Sequence, residues 1–189
     1  MIDNLKKLRS TLKYELQQYY EYSCGSFLEL IKIILVNDPI VKIIRWQVNS
    51  RIADYFIWKS KKNNFYRLFQ WFFILRRNSL RNKMGLEVNS MLIDEGLLLY
   101  HMSSTVINGS TRIGKNCKLH GNNCLGNSGP NNLKCPVLGN NVRLGVGAKV
   151  IGDIYIADNI TIAAGAIVVS SFYEKGITIG GIPAKKIKG

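Results

Sequence analysis

The sequence predicts a mainly β fold, in which a parallel β-helix of six-residue repeats follows an α-helical N-terminal region. The main observation is that aliphatic residues recur at every sixth position through most of residues 93–168. A period of six fits neither an α-helix, with a period of about 3.6, nor a strand, with a period of about 2. The next residue is often Gly or Ala, which suits the sharp corners of a short-stranded coil. The aliphatic positions are Ile93, Leu99, Ile107, Ile113, Leu119, Leu125, Leu138, Leu144, Val150, Ile156, Ile162 and Val168.

The sequence pattern of the N-terminal region predicts helices that precede this coil. Residues 5–23 show leucines along one side, as in an amphipathic helix. Residues 26–36 are apolar but interrupted by charged side chains. Asp38 can cap a helix whose first residue is Pro39, and this helix is expected to run to about Lys59.

The next segment, residues 65–77, is rich in aromatic side chains and ends in a basic cluster with Arg81 and Lys83. One interpretation is a core helix, or a helix at a trimer contact, whose arginines face water. The other is a helix in the membrane interface, with aromatic side chains in the acyl boundary and cations on anionic lipid. Nucleic-acid binding is disfavoured, because the aromatic residues form one apolar group instead of alternating with basic residues.

Two breaks in the six-residue period mark special places in the coil, which we expect to span residues 85–173. The step from Leu99 to Ile107 is eight residues and contains His101. A bulge at this step can turn a polar side chain from the interior to the surface. The second break contains residues 127–136, whose Asn, Ser, Gly and Pro content predicts a loop that leaves the coil.

Composition sets further bounds. Residues 1–84 hold 16 of the 26 Lys and Arg residues but 6 of the 12 Asp and Glu residues, so this helical region is expected to bind an anionic partner.

Residues 174–189 are expected to cap the coil. The four cysteines lack metal-ligand spacing, so no metal is predicted, and Cys117 falls on an inward position. Without a signal peptide or a membrane span, the chain is expected in the cytoplasm, with peripheral contact at the inner membrane face.

Five motifs support a resemblance to a known family. Residues 85–189 resemble the hexapeptide-repeat acyltransferases, and among them serine acetyltransferase and the related O-acetyltransferases of capsule and exopolysaccharide synthesis. The resemblance implies a left-handed parallel β-helix, a homotrimer, and acetyl-CoA in a groove between neighbouring protomers. The motifs are Leu99-Tyr100-His101, Val106-Ile107-Asn108, Ile113-Gly114, Leu144-Gly145-Val146-Gly147-Ala148-Lys149-Val150-Ile151-Gly152 and Gly181-Ile182-Pro183-Ala184-Lys185.

The resemblance also implies a catalytic histidine, and the matching residue is His101. Its imidazole would take the proton of an acceptor hydroxyl as the oxygen attacks the thioester carbon. Glu87 matches the family carboxylate that orients this histidine. A histidine in an ordinary turn, and a solvated surface carboxylate, are the structural alternatives for these two residues.

Family members bind acetyl-CoA through backbone groups and small residues on successive coils, and through cations near the CoA phosphates. Small side chains let the pantetheine arm lie flat, although they would fit the repeat without any CoA. The matching residues are Val146, Gly147, Ala148, Ala163, Ala164, Lys185 and Lys188.

Three residues are assigned to the acceptor site. His120 occupies a hexad position where other repeats have Gly, so it is either an outward turn residue or a residue that reaches the acceptor beneath the loop. Asn127 begins that loop. Cys135 precedes Pro136 at the place where serine acetyltransferases have a histidine, and this departure disfavours serine as the acceptor.

These features favour an acetyl-CoA-dependent O-acetyltransferase that acts on a sugar hydroxyl in surface polysaccharide biosynthesis, with His101 as general base. Two alternatives remain open. The chain could acetylate L-serine for cysteine synthesis, or it could be a non-catalytic trimeric binding scaffold. The expected partners are acetyl-CoA, a sugar or serine acceptor and an anionic membrane surface at residues 1–84, without nucleic acid.

Overall fold

The computed structural model describes residues 2–23, 25–88 and 90–188, so Cys24 lies outside the described residues. The chain divides into two compact units, one that ends at Met84 and one that begins at Gly85. None of the described helices is long and apolar enough to cross a membrane.

The first unit is helical, as the sequence predicts. The Asp38 carboxylate accepts a hydrogen bond of 2.9 Å from the backbone N–H of Ile40, and Pro39 is the first helical residue, so the predicted helix start is confirmed. The helices are Leu5–Ser23 (α1), Phe27–Leu35 (α2), Pro39–Ser60 (α3) and Arg67–Lys83 (α4), with a 3-10 turn at Asn64–Tyr66 before α4.

A buried ion pair joins α1 to α3. The Arg51 guanidinium donates to the Glu15 carboxylate at 2.6 Å, and both side chains are at most 4% exposed. Beside it, the Tyr19 hydroxyl donates to Gln47 Oε1 at 2.8 Å. Because an unpaired buried charge costs several kcal/mol, roughly 3–5, these contacts fix how α1 lies on α3.

The basic end of α4 differs from the expectation that its arginines face water. Arg77 is 8% exposed, and its guanidinium lies 3.6 Å from the Asp54 carboxylate on α3. Burial lowers the pKa of Arg77, and the Asp54 charge acts in the opposite direction. Arg76 is exposed, so only part of the predicted cationic cluster faces solvent.

The second unit is a coil of short strands. Consecutive strands from β2 to β12 enter three sheets in turn, and parallel pairing stacks each turn on the one before. The strands are Leu86–Val88 (β1), Leu98–Leu99 (β2), Thr105–Ile107 (β3), Arg112–Ile113 (β4), Lys118–Leu119 (β5), Cys124–Gly126 (β6), Val137–Leu138 (β7), Arg143–Leu144 (β8), Lys149–Ile151 (β9), Tyr155–Ile156 (β10), Thr161–Ile162 (β11), Ile167–Val168 (β12), Thr178–Gly181 (β13) and Ala184–Lys188 (β14).

The three sheets form the faces of a parallel β-helix. Sheet 1 is β1-β3-β6-β9-β12, sheet 2 is β4-β7-β10, and sheet 3 is β2-β5-β8-β11-β13-β14. Every predicted inward aliphatic residue is at most 4% exposed, so the six-residue prediction is confirmed. Cys117 is also inward, and burial raises the pKa of its thiol to about 12.

Three edges separate the faces. We call the passage from sheet 3 to sheet 1 the His edge, and the passage from sheet 1 to sheet 2 the loop edge. At the remaining edge, Asn116, Asn141 and Asn159 have φ of 58°, 57° and 61°. Asparagine tolerates this left-handed conformation better than most residues, so it suits these corner positions.

The C-terminal segment closes sheet 3 with an antiparallel hairpin. β14 pairs with β13, and Gly180 lies opposite Lys185. Lys185, Lys186 and Lys188 are all exposed on this last strand.

Close stacking of turns yields a stability prediction at glycine. A Cβ at Gly145 would lie 2.8 Å from the Cα of Ala164, whereas a Cβ at Gly126 would meet nothing closer than the Asn108 Cβ at 3.8 Å. Gly145→Ala should therefore lower the free energy of unfolding by ~1–3 kcal/mol, as overpacked cores do. Gly126→Ala is the matched control and should change it by less than about 0.5 kcal/mol or raise it slightly. Urea unfolding of both variants checks this, and equal stability would contradict it.

Candidate active site at the His edge

The two histidines of the chain lie on the His edge, on neighbouring turns of the coil. The Tyr100 N–H donates to the Leu119 carbonyl oxygen at 3.0 Å, which places the residues after β2 against those after β5. His101 follows directly in a bend and is exposed. The eight-residue step therefore turns this side chain outward, as the sequence predicts.

Contacts between the turns hold the outward bend in place. A Cβ at Gly121 would lie 3.5 Å from the His101 Cβ, so the two corners touch. The Ser103 hydroxyl accepts a hydrogen bond of 2.7 Å from the Asn122 N–H. The Asn123 side chain accepts from the Gly121 N–H at 3.0 Å, and its amide donates to the carbonyl oxygen of Gly145 at 2.8 Å. Sequence reasoning missed Ser103 and Asn123, because the bonds from Ser103 to Asn122 and from Asn123 to Gly145 join different turns.

His120 occupies a partly buried position with a distinct charge environment. Its ring stacks on Tyr100, with centroids 4.2 Å apart and an interplanar angle of 11°. The pKa of His120 is lowered, first by burial and then by the positive charges of Arg143, His101 and Lys118. Burial and these charges both favour the neutral form of the His120 imidazole, which can exchange hydrogen bonds without adding charge beside His101.

On the turns that follow the two histidines, the side chains at the His edge are small. Gly145 and Ala163 follow on the next turns, joined by backbone bonds of 2.8 Å to Ile162 and Ile179. Gly180, on the following turn, is buried beside the Ala163 and Ile187 side chains, whereas Gly145 and Ala163 are partly exposed. An extended ligand could approach the backbone there, as it could not beside larger side chains.

The residues predicted to bind the cofactor do not all face this strip. Val146 is 50% exposed, and Gly147 and Ala164 lie on the same edge. Ala148 is instead 0% exposed, and its carbonyl oxygen accepts from the Asn123 amide. Its predicted role in ligand contact is therefore corrected to packing inside the coil.

Lys185 and Lys188 lie at the far end of sheet 3. Lys185 is opposite Gly180, and both lysines are exposed. Five strand spacings separate β2 from β14 in sheet 3, so His101 and Lys185 mark the ends of a strip of roughly 24 Å.

Three other predicted site residues lie outside the strip of small side chains. Glu87 is exposed on the outer side of sheet 1, opposite Val106, and no described hydrogen bond joins it to His101. Asn127 and Cys135 belong to the loop edge, and Cys135 is 7% exposed. Because sheet 1 separates the two edges, one chain does not bring these loop residues to its own histidines. Among the described residues, no group of His, Cys, Asp and Glu could hold a metal ion.

Comparison with known proteins gives two kinds of relatives. The chain is 33% identical over 82 residues to WcaB of Escherichia coli K12, which is provisionally named a colanic acid biosynthesis acetyltransferase; the match covers 43% of this chain and 51% of WcaB. It is 35% identical over 122 residues to serine acetyltransferase of Helicobacter pylori J99, covering 62% of this chain and 71% of that protein. The chain thus spans about half the length of WcaB. No family model matches the chain.

Solved structures show the same fold. Serine acetyltransferase from Brucella abortus superposes with a TM-score of 0.72 and 21% identity, covering 97% of this chain and 69% of that one. A serine acetyltransferase in complex with CoA superposes with a TM-score of 0.71 and 16% identity, covering 97% and 70%. At these identities the likeness concerns the fold alone.

The charge environment of His120 predicts its titration. The chain has 2 histidines, so NMR resolves both rings without overlap. The His120 midpoint should lie below the ordinary value of 6.5, and His101→Gln or Arg143→Gln should raise it, because each removes a positive charge. Lys6→Gln, in the helical unit, should leave it unchanged. A wild-type midpoint at or above 6.5 would contradict the prediction.

Proposed function

The chain belongs to the hexapeptide-repeat acyltransferase family, and from that premise we propose that it is an acetyl-CoA-dependent O-acetyltransferase whose acceptor is a sugar hydroxyl in surface polysaccharide assembly. The observation that supports this most is the exposed His101 beside a neutral His120, at the head of a strip with small side chains. An acyl transfer needs a base next to a long, shallow groove for the donor, and the His edge offers both.

In the proposed reaction, His101 is the general base. Its imidazole accepts the proton of the acceptor hydroxyl while the hydroxyl oxygen forms a bond to the acetyl carbon. As the tetrahedral adduct collapses, the carbon–sulfur bond breaks and the imidazolium returns the proton to the departing thiolate. No acyl-enzyme is formed, so the chain needs no nucleophile of its own and Cys135 has no covalent role.

His120 is proposed to position the acceptor. Because its pKa is lowered, it stays neutral and can donate or accept one hydrogen bond to a sugar hydroxyl. Tyr100 stacks on its ring and limits its rotation. Glu87, which lies on sheet 1 where that sheet borders the His edge, is proposed to orient His101 once substrates are bound.

The acetyl donor is proposed to lie along the strip from His101 to Lys185. Gly145 and Ala163 are partly exposed and carry little or no side chain, so they leave the backbone within reach of a pantetheine arm. Lys185 and Lys188 are exposed cations at the end where the CoA phosphates would lie. The CoA complex of a structurally similar serine acetyltransferase supports this choice of donor.

Two acceptors are considered for the acetyl group, and a sugar hydroxyl is the first of them. WcaB favours a sugar, and Cys135 stands where serine acetyltransferases have a histidine. L-serine is the second candidate, because the serine acetyltransferase match covers a larger share of both chains.

We further propose that the coil is left-handed and that three copies assemble through their coils. The separation of the loop edge from the His edge supports this assembly, since the loop of a neighbouring copy could cover a histidine that its own loop cannot reach. Asn127 and Cys135 would then contact the acceptor of the adjacent protomer.

The exposed face of α4 is proposed to hold the protein at the cytoplasmic face of the cell membrane. Leu68, Trp71, Phe72 and Leu75 are 54% to 76% exposed and lie along one side of the helix. Arg76, which follows Leu75 in α4, is also exposed. Apolar side chains in the acyl boundary together with cations on anionic lipid are typical of interfacial helices.

Replacing the proposed base tests the reaction. His101→Ala should lower turnover by roughly 10²–10⁴-fold, the usual contribution of a positioned acid or base. Release of free CoA is measured with acetyl-CoA and either capsular glycan fragments or L-serine, each offered separately. Lys6→Gln is the control and should keep full turnover. Unchanged turnover in His101→Ala would reject His101 as the base, and turnover with serine alone would reject the sugar acceptor.

Liposome flotation tests the α4 face. The triple variant Trp71→Ser, Phe72→Ser, Leu75→Ser should lose most of its recovery with vesicles containing phosphatidylglycerol, because it removes the exposed apolar side chains. Leu133→Ser removes an apolar residue that is 71% exposed on the coil, and it should float like the wild type. Equal recovery of the triple variant and the wild type would refute the membrane contact.

A further inference from the structure

A second concave site lies within the helical unit, between α1, α2 and α3. It has a volume of about 860 Å³, and its walls are mainly aliphatic. Leu12 and Leu16 form the α1 wall, Ile33 belongs to α2, and Ile44 belongs to α3. The volume falls within the range of about 300–1,000 Å³ that is typical of small-molecule sites, which are mostly apolar with few polar groups.

The charged residues that line this groove all have one sign. Arg9 and Lys13 lie one turn apart on α1, and Arg45 lies on α3. The described lining residues include no Asp or Glu. All three cations are exposed, and within the described part of the chain none of them forms an ion pair. An apolar groove with an exposed cationic rim is therefore complementary to a molecule with an anionic head and an apolar chain.

One polar atom at the groove also lacks a partner. The Ser23 hydroxyl is buried and makes no hydrogen bond with the described residues. A buried hydroxyl without a partner costs free energy, so a ligand that supplies one polar contact would be stabilised there.

We propose that this groove binds a single phosphate-headed aliphatic lipid, with its chain against the leucine and isoleucine walls and its phosphate among Arg9, Lys13 and Arg45. Free phosphate would use the rim but leave the aliphatic walls empty. A flat bilayer surface would not enter a concave groove, whereas the α4 face suits it. The proposal goes beyond the acetyl transfer and does not depend on it.

Calorimetric titration with dodecyl phosphate below its micelle concentration tests the site. The wild-type chain should bind it, and shortening the chain to octyl phosphate should weaken binding several-fold for each pair of methylenes removed. Inorganic phosphate, which lacks the chain, and dodecyl maltoside, which lacks the charge, should bind at least roughly tenfold more weakly. No binding of dodecyl phosphate, or equal binding of the maltoside, would overturn the proposal.

Substitutions at the cationic rim test whether the phosphate head binds in this groove. Arg9→Gln, Lys13→Gln, Arg45→Gln combined should weaken dodecyl phosphate binding by roughly tenfold or more. The matched triple Lys6→Gln, Lys42→Gln, Lys61→Gln removes three exposed cations outside the groove and should bind like the wild type. Circular dichroism checks that both triples fold. Equal affinity of the two triples would overturn the proposal.

Two further measurements identify the alternative occupants. The α4 triple variant should keep its affinity for dodecyl phosphate, and a parallel loss would assign the lipid to the bilayer-facing helix and overturn the proposal. Sedimentation of wild type and Leu16→Asp tests for a second copy on the groove. A larger assembly that Leu16→Asp dissociates, together with no binding of dodecyl phosphate by the wild type, would assign the groove to protein contact and overturn the proposal.

Discussion

The structure of the coil depends on one constraint: each turn must return directly above the last with its backbone hydrogen bonds intact. The Lys118 N–H, for example, donates to the Val142 carbonyl oxygen at 2.9 Å, one full turn later. Such stacking packs the inward aliphatic residues of successive turns against one another and excludes a Cβ at places such as Gly145. It also determines which side chains meet on the surface, because neighbours along an edge come from successive turns and not from adjacent sequence.

The site follows from a local exception to that constraint. The step from Leu99 to Ile107 has two residues more than the repeat allows, and the excess is taken up on the surface at His101. Ser103, through its bond to Asn122, and Asn123, through its bond to Gly145, attach this enlarged corner to the turns that follow. The corner that carries His101, the proposed base, is thereby attached to rigid strands. This attachment limits the motion of the His101 side chain.

The sequence allowed the features that depend on local pattern to be predicted. The helix start at Asp38, the inward aliphatic residues and the outward turn of His101 all follow from spacing or residue type within a few positions. The stacking of Tyr100 on His120, the burial of Arg77 against Asp54 and the inward side chain of Ala148 do not. Each of these depends on register between elements that are far apart in sequence, and a single sequence contains no signal for that register.

The terminal hairpin has a consequence for how the protein behaves at high concentration. A stack of parallel turns ends in open N–H and C=O groups, which could accept a turn from another molecule and grow into a fibre. On sheet 3 this end is occupied by β14, which runs antiparallel and presents three lysines to solvent. An incoming turn would meet a strand of opposite direction and exposed lysines, and both features disfavour polymerisation through this face.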